Sequence, residues 1–392
     1  MSTRIQYALL ALIGLFLLFP LANDYFRLTK PISLQGVQVV SERPSLTWDT
    51  WLSGKFQSKF DKWFGQNFGL RGFLIKTSNQ IHYSVFRDSM LHGEGIIVGK
   101  DDQLLGKQYI ESYLQYAPPE DLTASVRALA NLQKLLKDRE IGFVLLITSS
   151  KESIYPEYIP DDFLARKHFE PGANYHNFVS LLNTHKINYV NGRTILEAQK
   201  RQQNYPIFPH GGYHWNNLGA YFVTKALLKE LDQILGKPLV DIELSNIATD
   251  YLPTGSDRDL VDLLNVWVPP DKYLAVHPQI VNLTGFETYS PRLLIEGGSF
   301  CYQILDILKQ TSKIQDLTYY NYYAYRLNYS DKQNVVPLPL GTIDWEQDVF
   351  NRDAIILELN ELYITGNPDL LASGFVKDAI IKLEANGQST KH

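Results

Sequence analysis

The sequence predicts a three-layer α/β domain with a mainly parallel sheet, preceded by an apolar N-terminal segment and a helical arm. Three observations carry this. From Gly95 onward, short apolar runs alternate with longer stretches of helical periodicity. Gly142-Phe143-Val144-Leu145-Leu146-Ile147 is continuously apolar, as a strand covered on both faces of a parallel sheet must be. The chain has 392 residues, 45% of them hydrophobic and 20% charged, an ordinary balance with length enough for a sizeable core.

Residues 1–23 are read as a signal anchor or transmembrane helix. Tyr7–Ala22 is a nearly uncharged apolar run led by Arg4, with Pro20 breaking it near its end. Leu21-Ala22-Asn23 is a poor cleavage site, which favours an anchor over a cleaved signal peptide. Residues 24–95 form a membrane-proximal helical arm. Trp51, Phe56, Phe60, Trp63 and Phe64 recur at helical spacing; a break follows around Arg71, and a second helix runs from Gly72 to Phe86. Arg71 is a binding residue or, better, a structural arginine that ties this arm to the main domain.

Residues 96–392 form the α/β domain. Ile96-Ile97-Val98-Gly99 is a short strand. Pro118 and Pro119 open a helix to about Glu140 with Leu122, Val126, Leu129, Leu132 and Leu136 on one stripe. After the 142–147 strand come a helix over 175–185, a strand over 187–190 and a helix over 194–202. A helix from Leu218 to Leu235 is stopped by Gly236 and Pro238. Residues 236–289 read as an irregular insertion. Strand Leu293–Glu296 leads to a helix over Cys301–Lys309, and further strands are expected over 317–325 and 354–359, with a last helix near 375–384.

Bulk properties exclude several functions. A net charge of −5 argues against nucleic acid as a partner. The single cysteine, Cys301, allows no internal disulfide and reads as a small buried hydrophobe. No Cys/His cluster suggests a metal and no Walker-type loop is present, so neither a metal nor a bound cofactor is expected.

The chemistry concentrates in two stretches. Arg292-Leu293-Leu294-Ile295-Glu296-Gly297-Gly298-Ser299-Phe300 reads as a buried strand running into a tight turn that presents one serine before a helix. The glycines allow unusual backbone angles, and the helix start offers N–H groups and a positive dipole end. An ordinary turn with a serine N-cap fits the same letters. A serine nucleophile needs a base, and His214, in the glycine-led loop Pro209-His210-Gly211-Gly212-Tyr213-His214, is the best placed of nine histidines. His210 is the second choice; His92, His168, His176, His185 and His277 have no comparable context.

Tyr213-His214-Trp215-Asn216 and Gly297-Gly298-Ser299-Phe300 resemble the histidine and serine blocks of the AlgJ/AlgX-like alginate O-acetyltransferases of the SGNH-hydrolase superfamily. Asn67-Phe68-Gly69-Leu70-Arg71, Lys151 with Ile154-Tyr155-Pro156-Glu157-Tyr158-Ile159-Pro160, and Ile355-Ile356-Leu357-Glu358-Leu359-Asn360-Glu361 are similar to further family segments. The resemblance runs from about Thr50 to Tyr363. It implies an SGNH-hydrolase-like fold in which Ser299 is acylated, His214 acts as base and then acid, and backbone N–H groups near Gly298 and Ser299, with an unidentified side chain, hold the oxyanion. Two positions depart from the pattern. Gly212 stands where the family carries the triad aspartate, leaving a Ser-His dyad, a borrowed carboxylate such as Glu296 or Glu361, or no activity. Gly298 stands where many relatives carry aspartate. Lys151, at the end of the central strand, is a substrate or oxyanion contact or a solvated lysine. Trp215 is counted with the substrate-binding residues, and Asn216 is a substrate contact or, better, a helix cap. Tyr319-Tyr320-Asn321-Tyr322-Tyr323 reads as a strand with one buried face rather than a sugar platform.

The expected activity is an O-acetyltransferase on the periplasmic side of a bacterial inner membrane, acting on an exported polysaccharide. Its acetyl donor would come from a multi-pass MBOAT-type partner. A glycan acetyl esterase, and a degenerate glycan-binding or scaffold protein, are the alternatives.

Overall fold

A computed structural model describes residues 3–26, 28–36, 41–89, 95–166, 169–283, 287–310, 313–328, 336–338 and 340–389. His92 and His168 lie outside them. The chain divides into two compact units: Met1–Gly95 with Leu260–Pro270, and Ile96–Asp259 with Asp271–His392.

In the first unit, helix α1 (Thr3–Phe26) runs past Pro20 instead of breaking there. A proline removes one donor near a helix end without ending the helix. Thr3–Pro20 is long and apolar enough to cross a membrane, with a mean hydropathy of 1.6. Gly54, in a left-handed conformation at φ 74°, precedes α2 (Lys55–Asn67), and α3 (Arg71–Ile81) follows. The apolar spacing of α2 becomes a ladder of rings, Phe56 on Phe60, Phe60 on Phe64 and Phe64 on Phe68, each pair four residues apart. Arg71 Nε donates to Gly65 O inside the arm. Residues 260–270 complete this unit. Asn79 Nδ2 donates to Leu264 O, Gln80 Oε1 accepts from the N–H groups of Trp267 and Val268, and Trp267 packs on Phe73.

The second unit is built on a seven-stranded sheet. Its strands are β3 (Gly142–Thr148), β4 (Tyr189–Asn191), β7 (Arg292–Gly297), β8 (Asp316–Asn321), β9 (Tyr325–Asn328), β10 (Val336–Pro337) and β11 (Ala354–Asn360), in the order β10-β9-β8-β7-β11-β3-β4. The five from β8 to β4 are parallel; β9 and β10 add antiparallel at one edge, so the sheet is mixed. The edge reverses because the tyrosine run does not stay extended: β8 ends at Asn321, and Tyr322 and Tyr323, at φ 49° and 51°, turn the chain back. Two further ladders are antiparallel, β1 (Ile96–Val98) with β2 (Leu104–Gly106), and β5 (Ile242–Asp250) with β6 (Ala275–Asn282). The second lies in the stretch expected to be irregular, where exposed Glu243, Asn246 and Thr249 carry little of the apolar signal that marks a strand.

Alternation along β3 explains the layers. Val144 and Leu146 pack on one face with α4 (Asn217–Leu235) and α5 (Cys301–Gln310). Phe143, Leu145 and Ile147 pack on the other with helices Pro119–Lys137, Ala173–Thr184 and Phe375–Ser389. Helix α4 buries Leu218, Val223, Leu227 and Leu231, each contributing about 1.5–3 kcal/mol relative to exposure. Gly236 closes it at φ 62°, as a C′ glycine does.

Candidate active site

Ser299 lies just past the carboxyl end of β7, where parallel sheets place their ligands. The two glycines before it are needed for room rather than for unusual angles, since neither has a positive φ. A Cβ on Gly297 would stand 2.5 Å from Glu358 Cβ, and one on Gly298 2.9 Å from the Tyr322 ring. The turn is therefore clamped between β11 and the tyrosine turn. Glu358 Oε2 accepts from Gly298 N–H at 2.7 Å, and Thr148 Oγ1 bonds its other oxygen. Burial pushes the Glu358 carboxyl above the usual range.

His214 Nε2 is 2.7 Å from Ser299 Oγ. Its loop is held from beneath. Lys151 Nζ donates to Leu104 O at 3.0 Å, Pro209 O at 2.7 Å and His210 O at 2.8 Å, and Asn216 N donates to Ile207 O at 3.1 Å. The ring packs on Phe300 at 4.9 Å between centroids. On its far side, His214 Nδ1 is 2.7 Å from Asp259 Oδ2, and Asp259 Oδ1 accepts from Tyr213 N–H at 2.9 Å. The carboxylate is thus fixed by two contacts and presents one oxygen to the imidazole.

Asp259 answers the question left by Gly212. A Cβ on Gly212 would lie 2.3 Å from Ser256 O and 3.1 Å from Asp257 O. The backbone that leads to Asp259 occupies the space that a side chain at 212 would need. Sequence reasoning missed this acid, which lies 45 residues after the histidine. The available signal was Ser256-Asp257-Arg258-Asp259 before an apolar run, a helix-start pattern inside a segment taken as irregular.

The other expected site residues sit differently. Neither of the carboxylates named as substitutes bonds His214: Glu296 is buried, its carboxyl pushed well above the usual range by desolvation, and Glu361 accepts from Ser150 N–H and pairs with Arg193. Lys151 is 1% exposed and makes no rim contact. Its three carbonyl acceptors use all three hydrogens of an ammonium, although burial lowers its pKa to about 7. Trp215 is fully buried, edge-on to Phe300, and Asn216 Oδ1 caps α4 by accepting from the N–H groups of Leu218 and Gly219. Neither is a surface on which substrate lies. Gly298 N–H, one of the two backbone donors expected for an oxyanion, is spent on Glu358; the other is Ser299 N–H. That N–H donates to the Tyr322 hydroxyl at 3.1 Å, which is also 3.2 Å from Ser299 Oγ. Of the tyrosine run, Tyr319, Tyr320 and Tyr323 are buried, while Tyr322, 40% exposed, turns to the serine. His210 is stacked on Tyr273, its Nε2 at Asp101 O, away from Ser299.

A cavity of about 400 Å³ opens beside the serine. His214, Asp257, Asp259, Tyr302, Gln303 and Asp306 are among the residues that line it. Burial pushes the Asp257 carboxyl up to about 6, against an opposing pull from His277. Among the described residues, no group of His, Cys, Asp and Glu is arranged to hold a metal.

Residues 96–281 match the family model described as the SGNH hydrolase-like domain of acetyltransferase AlgX. That stretch of the chain is thus similar to an SGNH hydrolase-like domain. The matched residues include His214 and Asp259; Ser299 and Glu358 lie beyond them. Among solved structures, the chain is similar to the O-acetyltransferase domain of Pseudomonas putida AlgJ, at 18% identity over 74% of this chain and 99% of that one, with a TM-score of 0.47. Pseudomonas aeruginosa AlgX is 14% identical over 79% of this chain and 69% of its own, with a TM-score of 0.47. Bacillus cereus PatB1 with a sulfonyl adduct is 13% identical over 72% and 99%, with a TM-score of 0.44. No curated protein matches the sequence.

Proposed function

We propose that the SGNH-like domain is an O-acyltransferase that moves an acetyl group to a glycan hydroxyl through a Ser299 acyl-enzyme. The observation that carries this is the unbroken line Asp259 Oδ2, His214 Nδ1, His214 Nε2, Ser299 Oγ, with 2.7 Å at each end. Asp259 accepts a hydrogen bond from Nδ1–H, which keeps the proton on Nδ1 and leaves the Nε2 lone pair free to take the serine proton. Ser299 Oγ attacks the donor's acyl carbon, and its proton passes to Nε2. The carbonyl oxygen becomes an oxyanion beside Ser299 N–H and the Tyr322 hydroxyl. Collapse breaks the bond to the donor oxygen, which leaves with the Nε2 proton. A glycan hydroxyl then gives its proton to Nε2 and attacks the acyl-serine, and the serine leaves with that proton restored.

The donor would be handed on by an MBOAT-type membrane partner, α1 would hold the chain in the bacterial inner membrane, and the domain would face the periplasm. The acceptor would be an exported polysaccharide. The alternative of a degenerate binding protein rested on Gly212 and loses its support with Asp259 at the imidazole. Esterase activity shares the acyl-enzyme and differs only in using water.

The test is acetyl release from a chromogenic ester, with intact-protein mass to detect one acetyl group on Ser299. Wild type should release acetate and become acetylated, while Ser299→Ala and His214→Ala should do neither. Equal inertness of all three proteins would refute the reading. Ester cleavage that yields no acetylated sugar with any oligosaccharide would favour the esterase.

A further inference from the structure

The cavity beside Ser299 also carries information about the acceptor. Two carboxylates line it beyond the one that serves His214: Asp257, on the loop before Asp259, and Asp306, on the second turn of α5. Among the described residues that line the cavity there is no lysine or arginine. Arg258, between the two loop aspartates, is directed to Asp271 at 3.9 Å. His277 lines the cavity but has Asp250 as a partner at 3.1 Å.

A second observation is independent of charge. Gln303 is 5% exposed and lines the same cavity. Its Nε2 donates to Ser256 Oγ at 2.8 Å, while its Oε1 is buried without a hydrogen-bond partner. A buried carbonyl without a donor is costly unless a ligand supplies one. Two carboxylates and an unpaired amide oxygen thus belong to the residues lining the cavity, beside the amide of Asn217 and the hydroxyls of Thr254, Ser256 and Tyr302. Such a wall matches a ligand rich in O–H or N–H donors. It opposes one whose charged group can only accept.

Resting on the acyl-transfer reading above, we propose that the acceptor sugar bound next to Ser299 is a neutral or amino hexose, and that uronic acids are excluded by Asp257, Asp306 and the Gln303 carbonyl. Hydroxyl groups of the sugar donate to these oxygens, and an ammonium group would add a charge-assisted bond. A uronate carboxylate would meet two like charges within the cavity and leave the Gln303 oxygen unmet. The proton and bond changes are those given above, with the hexose hydroxyl as the attacking group.

The experiment has two arms and uses the full chain in detergent. In the first, Ser299→Ala protein is titrated calorimetrically with three oligosaccharides of equal length: a neutral glucan, a glucosamine oligomer with free amines, and an oligouronate. In the second, wild-type protein is loaded from a chromogenic acetyl ester, offered the same three acceptors, and the acetylated sugars are counted by mass spectrometry. Binding and transfer should favour the neutral or amino oligomer over the uronate by at least about tenfold, since like charges a few ångström apart repel strongly in a partly desolvated site. Asp257→Asn with Asp306→Asn should narrow that ratio several-fold, each rate being referenced to the variant's own acylation by the ester. Equal or better use of the uronate, or a ratio unmoved by the double substitution, overturns the proposal. Should the wild type take up no acetyl at all, the acyl-transfer reading fails, and the binding arm still decides the sugar class: uronate bound as tightly as the others refutes it.

Discussion

Replacing Asp259 by asparagine tests the site most directly, because the geometry dictates how the new amide must sit. Tyr213 N–H donates to Oδ1 at 2.9 Å. The asparagine oxygen will keep that bond, and its NH₂ will then face His214 Nδ1, where Oδ2 now stands at 2.7 Å. Two donors cannot share one bond, so Nδ1 must become the acceptor and the imidazole proton must move to Nε2. That tautomer cannot take the proton of Ser299. In a serine-protease triad the same wrong-tautomer substitution lowers turnover about 10⁴-fold, or about 5 kcal/mol in barrier. We expect a loss of that order in kcat/KM for a chromogenic acetyl ester, with the thermal midpoint little changed. Glu296→Gln, which replaces a buried carboxyl that desolvation pushes well above the usual range, should behave as wild type in the same assay. A loss of less than about tenfold in Asp259→Asn would mean that His214 needs no orienting acid, and a matching loss in Glu296→Gln would mean that the wrong carboxylate has been named.

Three further outcomes follow from the same geometry. Tyr322→Phe removes the side-chain donor nearest Ser299 and should lower kcat by about 10²–10³ with KM little changed, as loss of one oxyanion donor does; a change confined to KM would assign Tyr322 to binding instead. Gly212→Asp, which would place an acid two residues before His214, should reduce activity, because its Cβ would meet Ser256 O at 2.3 Å and displace the loop that carries Asp259; an active Gly212→Asp, Asp259→Asn double variant would disprove this. Asp257→Asn should stabilise the protein at pH 8 and leave it nearly unchanged at pH 4. The folded-state pKa of Asp257 is raised from 3.8 to about 6, so its favourable contribution is complete below the unfolded value and is lost as pH rises through 6. Thermal midpoints of the two proteins across this range check the sign.

Much of this was readable in advance, and the boundary is physical. Strands β3, β7 and β11 announce themselves because burial on both faces requires unbroken apolar runs, and α4 because Asn216 and Gly236 mark its ends. Ser299 and His214 could be named because each lies in a short turn whose residue types are constrained by the next helix. Asp259 could not, since only the folded chain brings residue 259 to residue 214. Lys151 failed for a related reason. A lysine after a central strand reads alike whether it points outward or inward, and the three carbonyls that draw it inward come from Leu104, Pro209 and His210. The tyrosine run hid the member that reaches Ser299, because nothing in five similar letters says that the chain will turn left-handed at Tyr322.

The glycine at 212 also bears on how relatives of this chain are sorted. A survey that recognises working enzymes by contiguous signatures would file it among the inert ones for want of a single letter. Here a distant loop fills the vacancy, and the tight approach of that loop requires the position to be empty of a side chain. Wherever a sister sequence shows the same gap, the place to look for its carboxylate is the stretch passing over the gap in space, however far along the chain that stretch is written.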